Sequence, residues 1–203
     1  MNISNKELMK EAWQMLTGKW GNAIILSLIY LMIISAFQVK SNVGGLNTRF
    51  SILSLLVEGP FSLGMSYFFL SLVRSLPARV DQLFDGFKNF GVAFYSYLLR
   101  TIFVLLHLLL FIVPGIMKAL SYSQTFYILA DNPGIEPMQA LKTSAAMMDG
   151  HKERLFYLWL RFLGLIILSV FTFGIALIWL IPYMNTCAAL FYEDLKAHNS
   201  PVS

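Results

Sequence analysis

Apolar residues run through this chain in long blocks, separated by short polar stretches at nearly regular intervals. Blocks of roughly 18 to 25 mostly apolar residues are long enough to cross a bilayer core as helices. Six such blocks fall at about 20–39, 50–73, 91–112, 114–131, 155–172 and 174–192. The polar stretches have a pattern of their own. Ser4, Asn5, Lys6 and Glu7 make a capping-box signature, followed by Leu8, Met9, Ala12, Trp13 and Leu16 on one helical face. Further on, Val80, Leu83, Phe84 and Phe87 recur at helical spacing opposite Asp81, Gln82 and Asp85. A third such stretch opens at Pro137 and carries Met138, Leu141, Ala145 and Met148 as its apolar face. Each is too polar to span a bilayer, and the amphipathic pattern predicts a helix lying at the membrane interface.

Every interfacial stretch closes alike, with a glycine and then a lysine: Gly18-Lys19, Gly86-Phe87-Lys88 and Gly150-His151-Lys152. Glycine admits the left-handed conformation that ends a helix and turns the chain. Lys19, Lys88 and Lys152 then read as headgroup anchors at the start of the next span. Each unit continues as a two-span hairpin whose returning arm carries a proline (Pro60, Pro114, Pro182) followed by a tyrosine (Tyr67, Tyr122, Tyr183). The predicted fold class is all-α. It is a polytopic bundle of six transmembrane helices, arranged as three pseudo-repeated hairpins, each preceded by an amphipathic interfacial helix. Residues 1–203 form a single integral-membrane domain with repeat units at about 1–74, 75–133 and 134–195. The first unit diverges most, through a longer outer loop at about Lys40 to Arg49.

Composition fits a life in lipid. Of 203 residues, 57% are hydrophobic and only 13% charged. The net charge of +4 does not point to nucleic acid, because the basic residues sit at the ends of apolar blocks. An N-terminus in the cytoplasm puts Lys6, Lys10, Lys19, Arg74, Arg79, Lys88, Lys142, Lys152, Arg154 and Lys196 inside, with only Lys40 and Arg49 outside. That asymmetry obeys the positive-inside rule, so both termini are expected in the cytoplasm of a multi-pass protein of a bacterial cytoplasmic membrane. The competing reading of the first block as a signal peptide is disfavoured by its length and by the absence of a small-residue cleavage site. Cys187 is the lone cysteine and has no partner for an internal disulfide.

The chain resembles domain-of-unknown-function family 975, a bacterial integral-membrane family. Gly18-Lys-Trp-Gly21, Glu58-Gly-Pro-Phe61, Phe84-Asp-Gly-Phe-Lys88, Pro114-Gly-Ile116, Ala130-Asp-Asn-Pro133, Met148-Asp-Gly-His-Lys152 and Pro182-Tyr183 carry the resemblance, in order along nearly the whole chain. The family is also similar to the membrane domain that precedes the catalytic domain of some glycerophosphodiester phosphodiesterases. The resemblance implies a multi-span membrane protein and supplies no activity, cofactor or catalytic residue.

Ionisable residues within spans are costly and therefore informative. Arg100 precedes Tyr122 by 22 positions, as Arg161 precedes Tyr183. Gln124 and Thr125 follow the first tyrosine as Asn185 and Thr186 follow the second. A rise of ~1.5 Å per residue puts Arg100 about 13 Å and Arg161 about 10 Å into their spans, level with Gln124 and Asn185 on the returning arms. The guanidinium has five donors and no acceptor. Arg100, Arg161, Tyr122, Gln124, Thr125, Tyr183, Asn185 and Thr186 thus predict a pseudo-symmetric polar cavity in the cytoplasmic half. Two arginines there favour a lipid phosphate or a carboxylate. Against this stands a plainer reading, in which the arginines snorkel to the headgroups and the other polar groups glue helices. Glu58 and Lys118, nearer the outer side and each beside its proline, read as a structural ion pair, with an ion-coupling site as the alternative. His107 reads as a packing residue, and Asp131 and Asp149 as partners of Lys88, Lys152 and Arg154.

No His-Glu-x-x-His, Gly-x-Ser-x-Gly, P-loop or paired-cysteine motif occurs. No metal, cofactor or enzymatic activity is expected. The expected function is binding or transport of a lipid-like or small anionic ligand, with the prolines as hinges and membrane lipids as partners. The alternative is a scaffold or regulatory subunit acting through protein partners that the sequence does not identify. An intramembrane enzyme ranks third.

Overall fold

The computed structural model describes residues 3–36, 40–43, 46–49 and 52–199. Its helices are α1 (Asn5–Leu16), α2 (Trp20–Ala36), α3 (Ile52–Val73), α4 (Gln82–Asp85), α5 (Phe90–Leu110), α6 (Ile112–Ser121), α7 (Thr125–Asp131), α8 (Pro137–Met147), α9 (Lys152–Ser169) and α10 (Leu177–Asn199). Short 3₁₀ turns extend α4 through Gly86–Asn89 and α9 through Val170–Thr172. Where a loop was expected between α2 and α3, β1 (Lys40–Val43) and β2 (Leu46–Arg49) pair antiparallel, with Lys40 opposite Arg49. Residues 44–45, in the middle of that expected loop, lie outside the described residues. Three helical stretches, Ser54–Val73, Gln82–Leu110 and Lys152–Thr172, are long and apolar enough to cross a membrane. A fourth crossing arises if the bent α1–α2 pair counts as one.

Helix α1 begins as its sequence dictates. The Glu7 amide donates to Ser4 Oγ (3.3 Å), and the Ser4 amide donates to Glu7 Oε2 (2.9 Å). These contacts with Ser4, side chain first and backbone second, hold the Glu7 carboxyl below its ordinary pKa. Leu8, Ala12 and Leu16 are buried, whereas Trp13 stays 55% exposed and meets Trp20 and Tyr183 edge-on. The chain then bends by 98° into α2. Gly18 (φ +81°) makes that turn, and Gly150 (φ +75°) makes the corresponding one before α9.

Gly86 does not fit that scheme. Its backbone is right-handed (φ −61°), and it is glycine because α3 presses against it: a Cβ there would come within 1.9 Å of the Pro60 carbonyl oxygen. A side chain at Gly64 would likewise meet the Leu83 backbone. The second polar stretch is therefore a short helix and a 3₁₀ turn clamped onto α3.

The fourth apolar block is interrupted. Pro114 sits in the first turn of α6, and the break comes later, at Tyr122–Gln124, between α6 and α7. Pro60 and Pro182 lie inside helices assigned without interruption. Ser144 of α8 holds the break. Its hydroxyl donates to the Ser121 carbonyl (2.7 Å) and accepts the Gln124 amide (3.2 Å). On α8 the buried face is Ala140, Leu141, Ser144 and, just past its end, Met148; Met138 is exposed.

The apolar core gathers at the end of the bundle that carries α1, α4 and α8. Phe68, Phe69 and Leu72 of α3, Ile128 of α7 and Phe191 and Leu195 of α10 are all buried there. At the opposite end the turns that follow α5 and α9 are bare. Leu109 is 86% exposed and Phe173 97% exposed. Soluble proteins do not leave such apolar tips in water, which fits lipid around this end.

Candidate functional site

A cavity of about 270 Å³ opens in the middle of the bundle. Side chains from six helices line it: Tyr30 of α2, Ser62 and Ser66 of α3, Arg100 of α5, Tyr127 of α7, Trp159 of α9 and Asn185 of α10. Ser123, in the α6–α7 break, adds a further hydroxyl, while Met65, Phe126, Ile181, Met184 and Ala188 fill the rest. No acidic side chain is among these lining residues.

The polar groups around the wall are mostly committed to their own backbones. Ser66 Oγ donates to the Ser62 carbonyl (3.0 Å), Ser123 Oγ to the Leu120 carbonyl (2.8 Å) and Asn185 Nδ2 to the Ile181 carbonyl (2.9 Å). The Tyr30 hydroxyl donates to Glu58 Oε1 (3.2 Å), and the Tyr127 hydroxyl to the Asn185 carbonyl (3.4 Å). Arg100 is different. Its guanidinium lies 6.0 Å from the centre of the Phe126 ring and has no hydrogen-bond or ion-pair partner among the described residues. A cation set among helices without a counter-charge is the least satisfied group in the wall.

The predicted eight-residue site is not assembled as one. Of the predicted eight, Arg100 of α5 and Asn185 of α10 line the cavity together. Arg161 does not line it: its side chain is exposed on α9. The expected two-arginine cavity is not formed: Leu155, Leu158 and Phe162 dock α9, and Arg161 falls about a quarter-turn away from that stripe, where it is exposed. Thr125 Oγ1 donates to the Tyr122 carbonyl (2.9 Å) and Thr186 Oγ1 to the Pro182 carbonyl (2.8 Å), so both buried hydroxyls serve their own helices. Gln124 Nε2 donates to Ser123 Oγ (3.0 Å), and Gln124 Oε1 is buried with no partner. Tyr122 is buried beneath the Lys118 ammonium, 5.7 Å from its ring centre. Tyr183 turns away and donates to the Met9 carbonyl (2.9 Å), tying α10 to α1.

Other pairings also shift. Glu58 and Lys118 form no ion pair: Glu58 is bound by Tyr30, and Lys118 lies over Tyr122. Asp131 meets none of Lys88, Lys152 and Arg154. It binds Arg74 Nη1 (2.6 Å), Lys196 Nζ (2.6 Å) and the Tyr192 hydroxyl (2.9 Å), while Arg74 also reaches Glu193 (2.6 Å). Arg154 binds Asp194 and the Ile3 carbonyl across the foot of the bundle. Lys88 pairs with Asp85 (2.7 Å) and Lys152 with Asp149 (3.5 Å). Lys19 borders a shallow hollow with Asn22 and Ser75.

Sequence reasoning passed over Tyr30, Ser62, Ser66, Ser123, Tyr127 and Trp159. Ser62 and Ser66, four residues apart on an apolar helix, were the readable signal.

A bundle of apolar helices, with Arg100 unpartnered among the described residues and the Arg74 and Arg154 ion pairs at one end, fits the family indicated by the motifs. The family model described as "Protein of unknown function (DUF975)" matches residues 1–121 and 106–199. The chain belongs to this family. No curated protein and no solved structure matches the chain. The DUF975 assignment brings no activity with it, and the likeness to phosphodiesterase membrane domains stays an expectation of the sequence.

Proposed function

We propose that this DUF975 protein is a six-pass membrane protein that binds an anionic group in its central cavity. The carrying observation is the unpartnered Arg100 guanidinium in a wall with no acidic side chain. An anion supplies the acceptors that the protein withholds, and the low dielectric strengthens the pairing. The lining holds no nucleophile beside a general base, which favours binding over catalysis.

In this reading α2, α3, α5, α6–α7, α9 and α10 are the crossings, and α1, α4 and α8 lie on the cytoplasmic interface. Helix α2 has 17 residues and α6–α7 is broken, so neither reaches the length of an uninterrupted span. Broken helices are tolerated at membrane depth where protein satisfies the freed backbone. Ser144 meets that condition at the Tyr122–Gln124 break. The ion pairs of Arg74, Arg154 and Lys196 at one end favour a cytoplasmic position for that end.

Two measurements test this. Calorimetric titration of the purified protein with inorganic phosphate is expected to show saturable binding that Arg100→Leu removes; an unchanged isotherm for the variant overturns the reading. Cysteine scanning checks the crossings, since native Cys187 is fully buried. An impermeant maleimide added to intact cells is expected to label Ser41→Cys and not Lys88→Cys.

A further inference from the structure

The cavity is not closed off from the bundle surface. Trp159 forms part of its wall and is itself 44% exposed. The same indole lines a second hollow of about 240 Å³ along α9, made with Phe156, Leu160, Leu163 and Ile166. No polar side chain lines that hollow. It follows one face of α9 from Phe156 to Ile166, ten steps or about 15 Å at ~1.5 Å per residue. A polar chamber with a free cation and an apolar trough on the lipid-facing helix therefore share one side chain.

These are the two halves of an amphiphile's site. A free inorganic anion has no use for the trough, and a neutral hydrocarbon has none for Arg100. We infer that the anion held at Arg100 is the head of an acyl-chain lipid, which enters sideways past Trp159 and leaves its chain along α9. This rests on the anion-binding reading and narrows it to an anionic membrane lipid. The bare outer face of α9 supports the route. Phe156, Leu160 and Leu163 are exposed, and α9 buries only the Leu155, Leu158, Phe162 and Ser169 side. Trp159 is well suited to the threshold, since indole carries a large apolar face and one N–H donor.

The test uses the full chain with Trp13, Trp20 and Trp179 changed to Phe, leaving Trp159 as the single reporter. The protein is placed in phosphatidylcholine nanodiscs containing a few per cent of lipid with brominated acyl chains. Brominated phosphatidylglycerol is expected to quench Trp159 saturably, at roughly tenfold lower mole fraction than brominated phosphatidylcholine. Arg100→Leu is expected to abolish that preference, and Arg161→Leu to leave it intact. Equal quenching by the two lipids, with phosphate binding preserved in calorimetry, overturns the inference and leaves the anion-binding reading standing. Loss of both phosphate binding and lipid preference in the parent protein overturns both. If the triple variant fails to fold, mass spectrometry of lipids retained by the native chain gives the same contrast. Phosphatidylglycerol is then expected to be retained over phosphatidylcholine, and Trp159→Ala to reduce it; retention without headgroup preference overturns the inference.

Discussion

The α5–α7 and α9–α10 regions start from matching polar spacings and end in different surroundings. Arg100 and Arg161 stand 22 residues ahead of Tyr122 and Tyr183. Yet Arg100 faces a chamber lined by six helices, and Arg161 lies exposed on α9. Tyr122 is buried beside a break in its helix, whereas Tyr183 sits in an unbroken α10 and is tied to α1. Spacing along a chain fixes which residues share depth. Which way a helix turns depends on its most apolar stripe, and the two helices differ there.

The largest expected effect concerns the feet of these regions. Helix α9 starts on a buried ion pair between Arg154 and Asp194, whereas the entry to α5 carries the exposed Lys88–Asp85 pair. Removing one partner of a buried pair costs about 3–5 kcal/mol, and exposed pairs contribute about 0–1 kcal/mol. Arg154→Leu is therefore expected to lower the thermal unfolding midpoint sharply in detergent, and Lys88→Leu hardly at all. Similar losses for both would erase the distinction.

Next comes the helix break. Ser144→Ala strips the Ser121 carbonyl and the Gln124 amide of a shared partner, with an expected loss of about 1–3 kcal/mol. Hydrogen exchange should then rise around 121–125 and remain slow across Pro182–Thr186. Uniform change along both arms would mean the break is not held by α8.

The third comparison is between the arginines themselves. Arg100→Leu is expected to weaken anion binding at least tenfold, about 1.4 kcal/mol. Arg161→Leu should change it little, because the side chain lies outside the cavity. Equal losses would restore the symmetric site that the spacing predicts.

The smallest effect belongs to the capping box. Glu7 has a lowered pKa when folded, so its contribution is complete at neutral pH. It fades as pH falls through that lowered value. Glu7→Gln should produce only a slight fall in the unfolding midpoint at neutral pH, and that fall should disappear in acid.

Much of the helix layout was legible because two periods are written into the residues. Blocks of membrane length gave the apolar helices, and Ser4 with Glu7 gave the start of α1. The site was legible only in part. Arg100 and Asn185 stood out as polar residues in apolar blocks, but they lie 85 positions apart and only the packing of the bundle puts both in one wall. No local pattern specifies that Tyr30, Ser62 and Trp159 complete the same wall. Gly86 was read correctly as a required glycine and for the wrong reason: sequence shows the missing side chain but not the neighbouring carbonyl that excludes it. The Arg74–Asp131 and Arg154–Asp194 bonds join residues 57 and 40 positions apart, beyond any helical spacing.

The 98° elbow between α1 and α2 swings residues 3–16 back across the foot of the bundle. There the Ile3 carbonyl accepts a hydrogen bond from Arg154, and the Met9 carbonyl accepts one from Tyr183. Both donors belong to the final third of the polypeptide. The packing of α1 is therefore completed only once the chain has been made as far as Tyr183.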